Sequence, residues 1–102
     1  MNMSCRPPRY VRSVNLNNNT ANPIQVLANF QSGVQTTFDI AAGSSVVVER
    51  DVNQGSYTTV DPVQNISVVG RNNLLGFDPD GVRIYTYNIN ENDGELSFEQ
   101  VE

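Results

Sequence analysis

The sequence predicts an all-β protein, a single antiparallel β-sandwich of seven to eight short strands. Three observations carry this. Over residues 24–50 apolar side chains recur at every second position: Ile24, Val26, Ala28 and Phe30, then Val34, Phe38 and Ile40 with Thr36 keeping the phase, then Val46 and Val48. That period sets one face of a sheet against a core and the other in water. Turn residues, among them Ser32-Gly33 and Ala41-Ala42-Gly43-Ser44, separate the runs. No stretch shows a helical period, and many short strands without helices close as a sandwich or a barrel. The sandwich is preferred because the inward positions are mostly medium-sized, which suits a gap of about 10 Å between sheets.

Residues 1–8 read as a disordered basic N-terminal arm, in which Pro7-Pro8 favours polyproline geometry. Residues 9–102 form the domain. Its first strand is expected over 10–16, with Tyr10, Val14 and Leu16 on one face and Arg12 interrupting it. The Asn-rich stretch 17–23 is expected as a loop, because Asn tolerates left-handed backbone and bonds its own main chain. Pro23 keeps the preceding residue extended and feeds Ile24 into the second strand. The third and fourth strands are expected over 34–40 and 45–50. Residues 51–55 read as a loop, 56–60 as a short strand ended by Asp61-Pro62, and 64–69 as the next, with Ile66 and Val68 inward. The longest irregular stretch, 71–81, ends in Asp78-Pro79-Asp80-Gly81, a tight turn with Pro in the second position and a left-handed glycine. Residues 82–89 are a strong strand and 90–94 a turn. Residues 95–99 are a last short strand, with one helical turn as the alternative.

Composition narrows the function. A chain of 102 residues has the commonest domain size and buries a core without staples. Its hydrophobic fraction of 38% implies a thin core and a polar exterior. The net charge of −5 serves solubility, and a nucleic-acid partner would need a broad basic face instead. No signal-peptide core opens the chain, and no apolar run approaches the ~18 residues of a membrane span, so no membrane partner is expected. Cys5 is the single cysteine, with no internal partner for a disulfide or a metal site, and a cytoplasmic location is expected. The sequons Asn18-Asn19-Thr20 and Asn65-Ile66-Ser67 read as chance in so Asn-rich a chain. There is no His and no Lys, which removes the commonest general base and all Schiff-base chemistry.

No enzyme is expected. Cys5 has no His to activate it, no phosphate-cradling glycine loop occurs, and nothing places two carboxylates on adjacent inward positions. Asp78-x-Asp80-Gly81 begins like a calcium loop, but Gly81 is fourth where an EF-hand needs Gly sixth, and Ile89 stands where it needs Glu. A shallow calcium site from Asp51, Asp61, Asp78 and Asp80 competes with ordinary turn aspartates, and the latter are preferred, so no cofactor is expected. Tyr85 and Tyr87 lie on the face of their strand opposite Val82 and Ile84, either covered by a loop or exposed as a partner anchor. The patch Leu74-Leu75-Gly76-Phe77 is a docking patch if exposed and a plug for the core if tucked in, and the plug is preferred. The expected function is a protein- or peptide-interaction module that uses Tyr57, Tyr85, Tyr87, Phe77 and Arg50 and takes an extended peptide on an open sheet edge. The alternative is a self-assembling structural subunit, in which the arm Arg6, Arg9 and Arg12 docks on the acidic segment Glu91, Asp93, Glu95, Glu99 and Glu102 of another copy.

Several short motifs share a layout: Arg12-Ser13-Val14-Asn15, Asn19 ahead of 24–30, Ala42-Gly43 between two strands, Asp80-Gly81, Ile84-Tyr85 and Asn88-Ile89. In these the chain resembles the β domain of the von Hippel–Lindau tumour suppressor family, over about eighty residues. The resemblance implies a prealbumin-like sandwich, of the broad immunoglobulin-like type, and peptide binding. In that family a hydroxyproline ring sits among tryptophans and a tyrosine, with a Ser and a His on its hydroxyl. This chain has no Trp and no His, and Phe38, Arg50 and Gln54 stand near the matching places.

Overall fold

The computed structural model describes residues 8–101. Cys5, Arg6 and most of the expected arm therefore lie outside the described residues. Ten strands form: β1 (Tyr10–Asn18), β2 (Ile24–Phe30), β3 (Gln35–Ile40), β4 (Ser45–Val48), β5 (Asp51–Asn53), β6 (Thr58–Val60), β7 (Val63–Val68), β8 (Leu74–Gly76), β9 (Val82–Asn92) and β10 (Glu95–Val101). The described residues contain no helix, so none is long and apolar enough to cross a membrane. The fold is all-β, as the alternation predicts. The expected count of seven to eight strands is corrected to ten among the described residues, because β5 and β8 form as three-residue strands within stretches expected as loops.

Eight strands join one mixed sheet in the order β10-β9-β1-β7-β2-β3, with β4 on β1 and β8 on β7. β5 and β6 pair separately. The expectation of purely antiparallel strands is corrected at β1 and β9, which run parallel from Tyr10 beside Val82 to Asn18 beside Ile89. Both strands start at one end of the molecule, where the Tyr10 N–H donates to the Gly81 carbonyl at 3.1 Å. This contact also corrects the turn expected there. Gly81 is not left-handed, since it already leads the chain extended into β9. The opposite edge of β1 is shared. Val11 pairs with Val63 of β7, and residues from Val14 to Asn17 pair with β4.

Arg12 sits in a bulge, where the β1 register shifts between Val11 and Ser13. The added residue changes the inward phase, so Val11 rather than Tyr10 is buried ahead of it, and Val14, Leu16 and Asn18 follow. The face expected from Tyr10 is corrected accordingly. One core gathers Val11, Val14 and Leu16 of β1, the inward side of β2 through Phe30, and Ile40, Val48, Ile66, Leu75 and Ile89 from five other strands. Phe38 and Val46 pack on its margin.

The asparagines are explained by side-chain ladders. On one surface Ser45 Oγ donates to Asn17 Oδ1 at 2.6 Å, and Asn17 Nδ2 donates to Asn88 Oδ1 at 2.9 Å. On another, Gln35 Nε2 donates to Asn29 Oδ1 at 2.7 Å and Asn29 Nδ2 to Asn65 Oδ1 at 2.6 Å. Asn18 behaves differently. The loop expected over 17–23 begins later, because β1 runs on through Asn18, which is fully buried. Its amide closes the loop that follows.

β9 and β10 meet in a two-residue turn. Asp93 and Gly94 have φ of 54° and 82°, the left-handed pair that matches the twist of a tight hairpin. Residues 90–92, expected in the turn, are strand instead. The turn fixes the register from Glu95 opposite Asn92 down to Val101 opposite Thr86.

Candidate binding surface

Three of the five expected site residues come together. Phe77, on the segment after β8, stacks on Tyr85 of β9 with ring centroids 5.6 Å apart and planes 7° apart. Tyr87 meets both edge-on, at 6.1 Å from Phe77 and 6.2 Å from Tyr85. All three pack against the core and are half-buried. Burial, and then the neighbouring Tyr85, push the Tyr87 phenol above its ordinary pKa. The cluster is a plug under the sheet, and it leaves Leu74 outside at 67% exposure. An exposed aromatic anchor at Tyr85 and Tyr87 is thereby corrected: their odd-numbered face turns to the core.

The remaining two stand apart. Tyr57 is exposed in the segment that joins β5 to β6. Arg50 belongs to a knot around Asp61. The buried Asp61 carboxylate accepts from Arg50 Nη1, from Ser32 Oγ and, at 3.1 Å, from the Ser32 N–H. Desolvation pushes its pKa up, but the two Ser32 hydrogen bonds and Arg50 outweigh this and hold the carboxyl below the usual value of 3.8. Asp80 is likewise held low by its hydrogen bond from Arg83, then by that cation's charge. Asp51, Asp61, Asp78 and Asp80 form no metal-binding group, and no three Cys, Asp or Glu side chains come together among the described residues.

A cleft of about 290 Å³ opens where β1 meets β7, lined by Tyr10, Pro62, Phe77 and Pro79 together with Arg9 and Gln31. Pro79 lies on the segment that leads into β9. At that strand the backbone itself is on offer. The Gly81 carbonyl accepts from Tyr10 of β1 and the Ile89 carbonyl from Asn19 just past its end, so odd-numbered positions of β9 turn their backbone groups to β1. Even-numbered positions turn theirs the other way, toward β10. Among the described residues β10 pairs with β9 from Thr86 to Asn92. Among the described residues no strand pairs with that edge over residues 82–85. Among the described residues the N–H and C=O groups of Val82 and Ile84 therefore have no strand partner on that side.

The side chains beside this edge are apolar. Ile84 is 60% exposed, Val82 41% and Val101 39%, and register places all three on the outward face. Sheet edges are normally blunted by Lys, Pro or an inward charge. Here the outward face carries neither Lys nor Pro, while Arg83 sets an exposed charge on the opposite face between Val82 and Ile84. Comparison with known proteins yields no matching family model, curated protein or solved structure. The site therefore rests on its own chemistry. That chemistry is main-chain donors and acceptors beside an apolar strip, which can pair with a strand.

Sequence reasoning identified the strand and its two apolar faces but placed the expected partner contacts on the tyrosine face. The signal that finds the other lies in Asp93-Gly94. A two-residue turn there sets the pairing by counting, from Glu95 by Asn92 to Val101 by Thr86 within the described residues, and so puts Val82 and Ile84 on the outward face with Val101.

Proposed function

We propose that this chain is a cytoplasmic, non-enzymatic interaction module, a two-layered β-sandwich that takes an extended peptide segment by strand addition to β9. The two layers are β10-β9-β1-β4 and β3-β2-β7-β8, a division supported by the single Val11–Val63 pairing that joins them and by a shortest molecular dimension of 21 Å. Two sheets about 10 Å apart, with their outward side chains, fill such a thickness. The lone cysteine, which has no internal disulfide partner, supports the cytoplasmic assignment. The function rests chiefly on one observation, the backbone of Val82 and Ile84 left unpaired among the described residues, beside exposed Val82, Ile84 and Val101. In strand addition, main-chain hydrogen bonds give affinity and alternate side chains give specificity.

Ile84→Pro tests this cleanly. Proline deletes the N–H at residue 84, which faces away from β1, so the β1–β9 ladder keeps its bonds. Affinity capture from lysate, run with wild type and with an Ile84→Pro variant of unchanged melting temperature, should show a partner held by the first and lost by the second. A partner held equally by both removes the edge from the function. Capture of nothing but further copies of the chain turns the reading to a structural subunit.

A further inference from the structure

The open edge also carries a preference. Between Val82 and Ile84 stands Arg83, exposed and on the opposite face, with its guanidinium bonded to Asp80 at 2.8 Å through Nε. We infer that the β9 edge selects a segment of the pattern apolar–acidic–apolar, with the carboxylate set beside Arg83 and the apolar side chains beside Val82 and Ile84. This rests on the strand-addition reading above and adds the chemistry of the partner.

Register dictates the pattern. An added antiparallel strand lies in line with β10, and the two residues that bond Val82 and Ile84 have side chains on the outward, apolar face. The residue between them is on the other face, directly across from Arg83. Cross-strand neighbours of opposite charge stabilise a pair, and like charges directly opposite destabilise it. Asp80 is highly exposed and shares the guanidinium, whose five donors leave room for a second carboxylate.

The same register disfavours a second copy as the occupant. Backbone groups that point outward must meet groups that point outward, so even positions pair only with even ones. With Thr86 already taken by Val101, the one antiparallel arrangement that uses all the free groups sets Val82 opposite the partner copy's residue 84. It centres on Arg83 and places two guanidinium groups across from each other, Cα atoms about 4.5 Å apart. A foreign acidic segment suits this edge, and a self-pair does not.

Selection of random heptapeptides displayed on phage tests the inference, run against wild type, Arg83→Glu and Ile84→Pro, each confirmed folded by its melting curve. Wild type should enrich apolar–acidic–apolar triads, and Arg83→Glu should enrich apolar–basic–apolar triads. For a synthetic pentapeptide Thr-Val-Glu-Val-Thr against Thr-Val-Lys-Val-Thr, the preference should reverse between the two proteins by on the order of tenfold. Ile84→Pro should enrich neither. If Arg83→Glu selects the same acidic triads as wild type, the charge preference is wrong and the edge stands. If Ile84→Pro keeps the peptides that wild type selects, or wild type enriches none, strand addition falls and the preference with it.

Discussion

Asp61→Ala lowers the unfolding free energy by about 2–3 kcal/mol, read as a shift in the urea midpoint at neutral pH. The carboxylate binds the Ser32 amide, the Ser32 hydroxyl and Arg50, and so ties the β2–β3 turn to the segment after β4. Alanine removes the shared acceptor and leaves the exposed Ser32 and part-exposed Arg50 donors to water, so the bridge between the two segments is lost. Arg50 keeps 34% of its side chain in water, so screening holds the loss below the value for a wholly buried pair. For a domain of this size such a loss lowers the melting temperature by roughly 10–20 °C. The pH dependence has a definite sign. The folded carboxyl titrates below its unfolded value of 3.8, so its contribution is complete above that value and disappears as pH falls through the folded pKa. The gap between wild type and Asp61→Ala should therefore narrow on acidification below about pH 4. A gap that stays constant to pH 2 would mean that the carboxylate's charge does not matter there.

Asn18→Asp destabilises by about 3 kcal/mol or more at neutral pH, measured in the same way. The Asn18 side chain is wholly enclosed. Its Nδ2 donates to the carbonyls of Ile40 at 3.0 Å and Asn22 at 2.9 Å, and its Oδ1 accepts from the Thr20 hydroxyl at 2.7 Å and amide at 3.0 Å. An aspartate replaces the donor with a second negative oxygen aimed at two carbonyls. Protonation restores a donor, so the variant should regain stability as pH falls, opposite in sense to wild type around Asp61. Equal loss at pH 7 and pH 3 would show that shape, not charge, sets the cost. The burial also closes the first sequon, because the folded chain offers no access to the Asn18 amide.

These residues show where the sequence was legible and where it was not. Period-two alternation from Ile24 to Val48 marked the inward side chains correctly, because water sorts side chains by face wherever a strand is regular. It failed at Arg12, where one bulged residue exchanged the faces. It failed again at Asn18, where a residue type that favours loops serves as a buried bracket. The parallel pairing of β1 and β9 was invisible, since it joins residues separated by about seventy positions and leaves no local pattern. The surface was misread for a related reason. Both faces of β9 are apolar, and only packing shows that the Tyr85 and Tyr87 face is covered by Phe77 while Val82 and Ile84 face water.

Amide hydrogen exchange along β9 in the free protein, followed residue by residue by NMR, tests the open edge most directly. The amides of Tyr85 and Tyr87, which turn to β1, should be protected, as should Thr86 under β10. Ile84 and Val82 should exchange at nearly unprotected rates. An Ile84 amide as slow as that of Tyr85 would mean that the edge is already covered and has no place for a partner's strand.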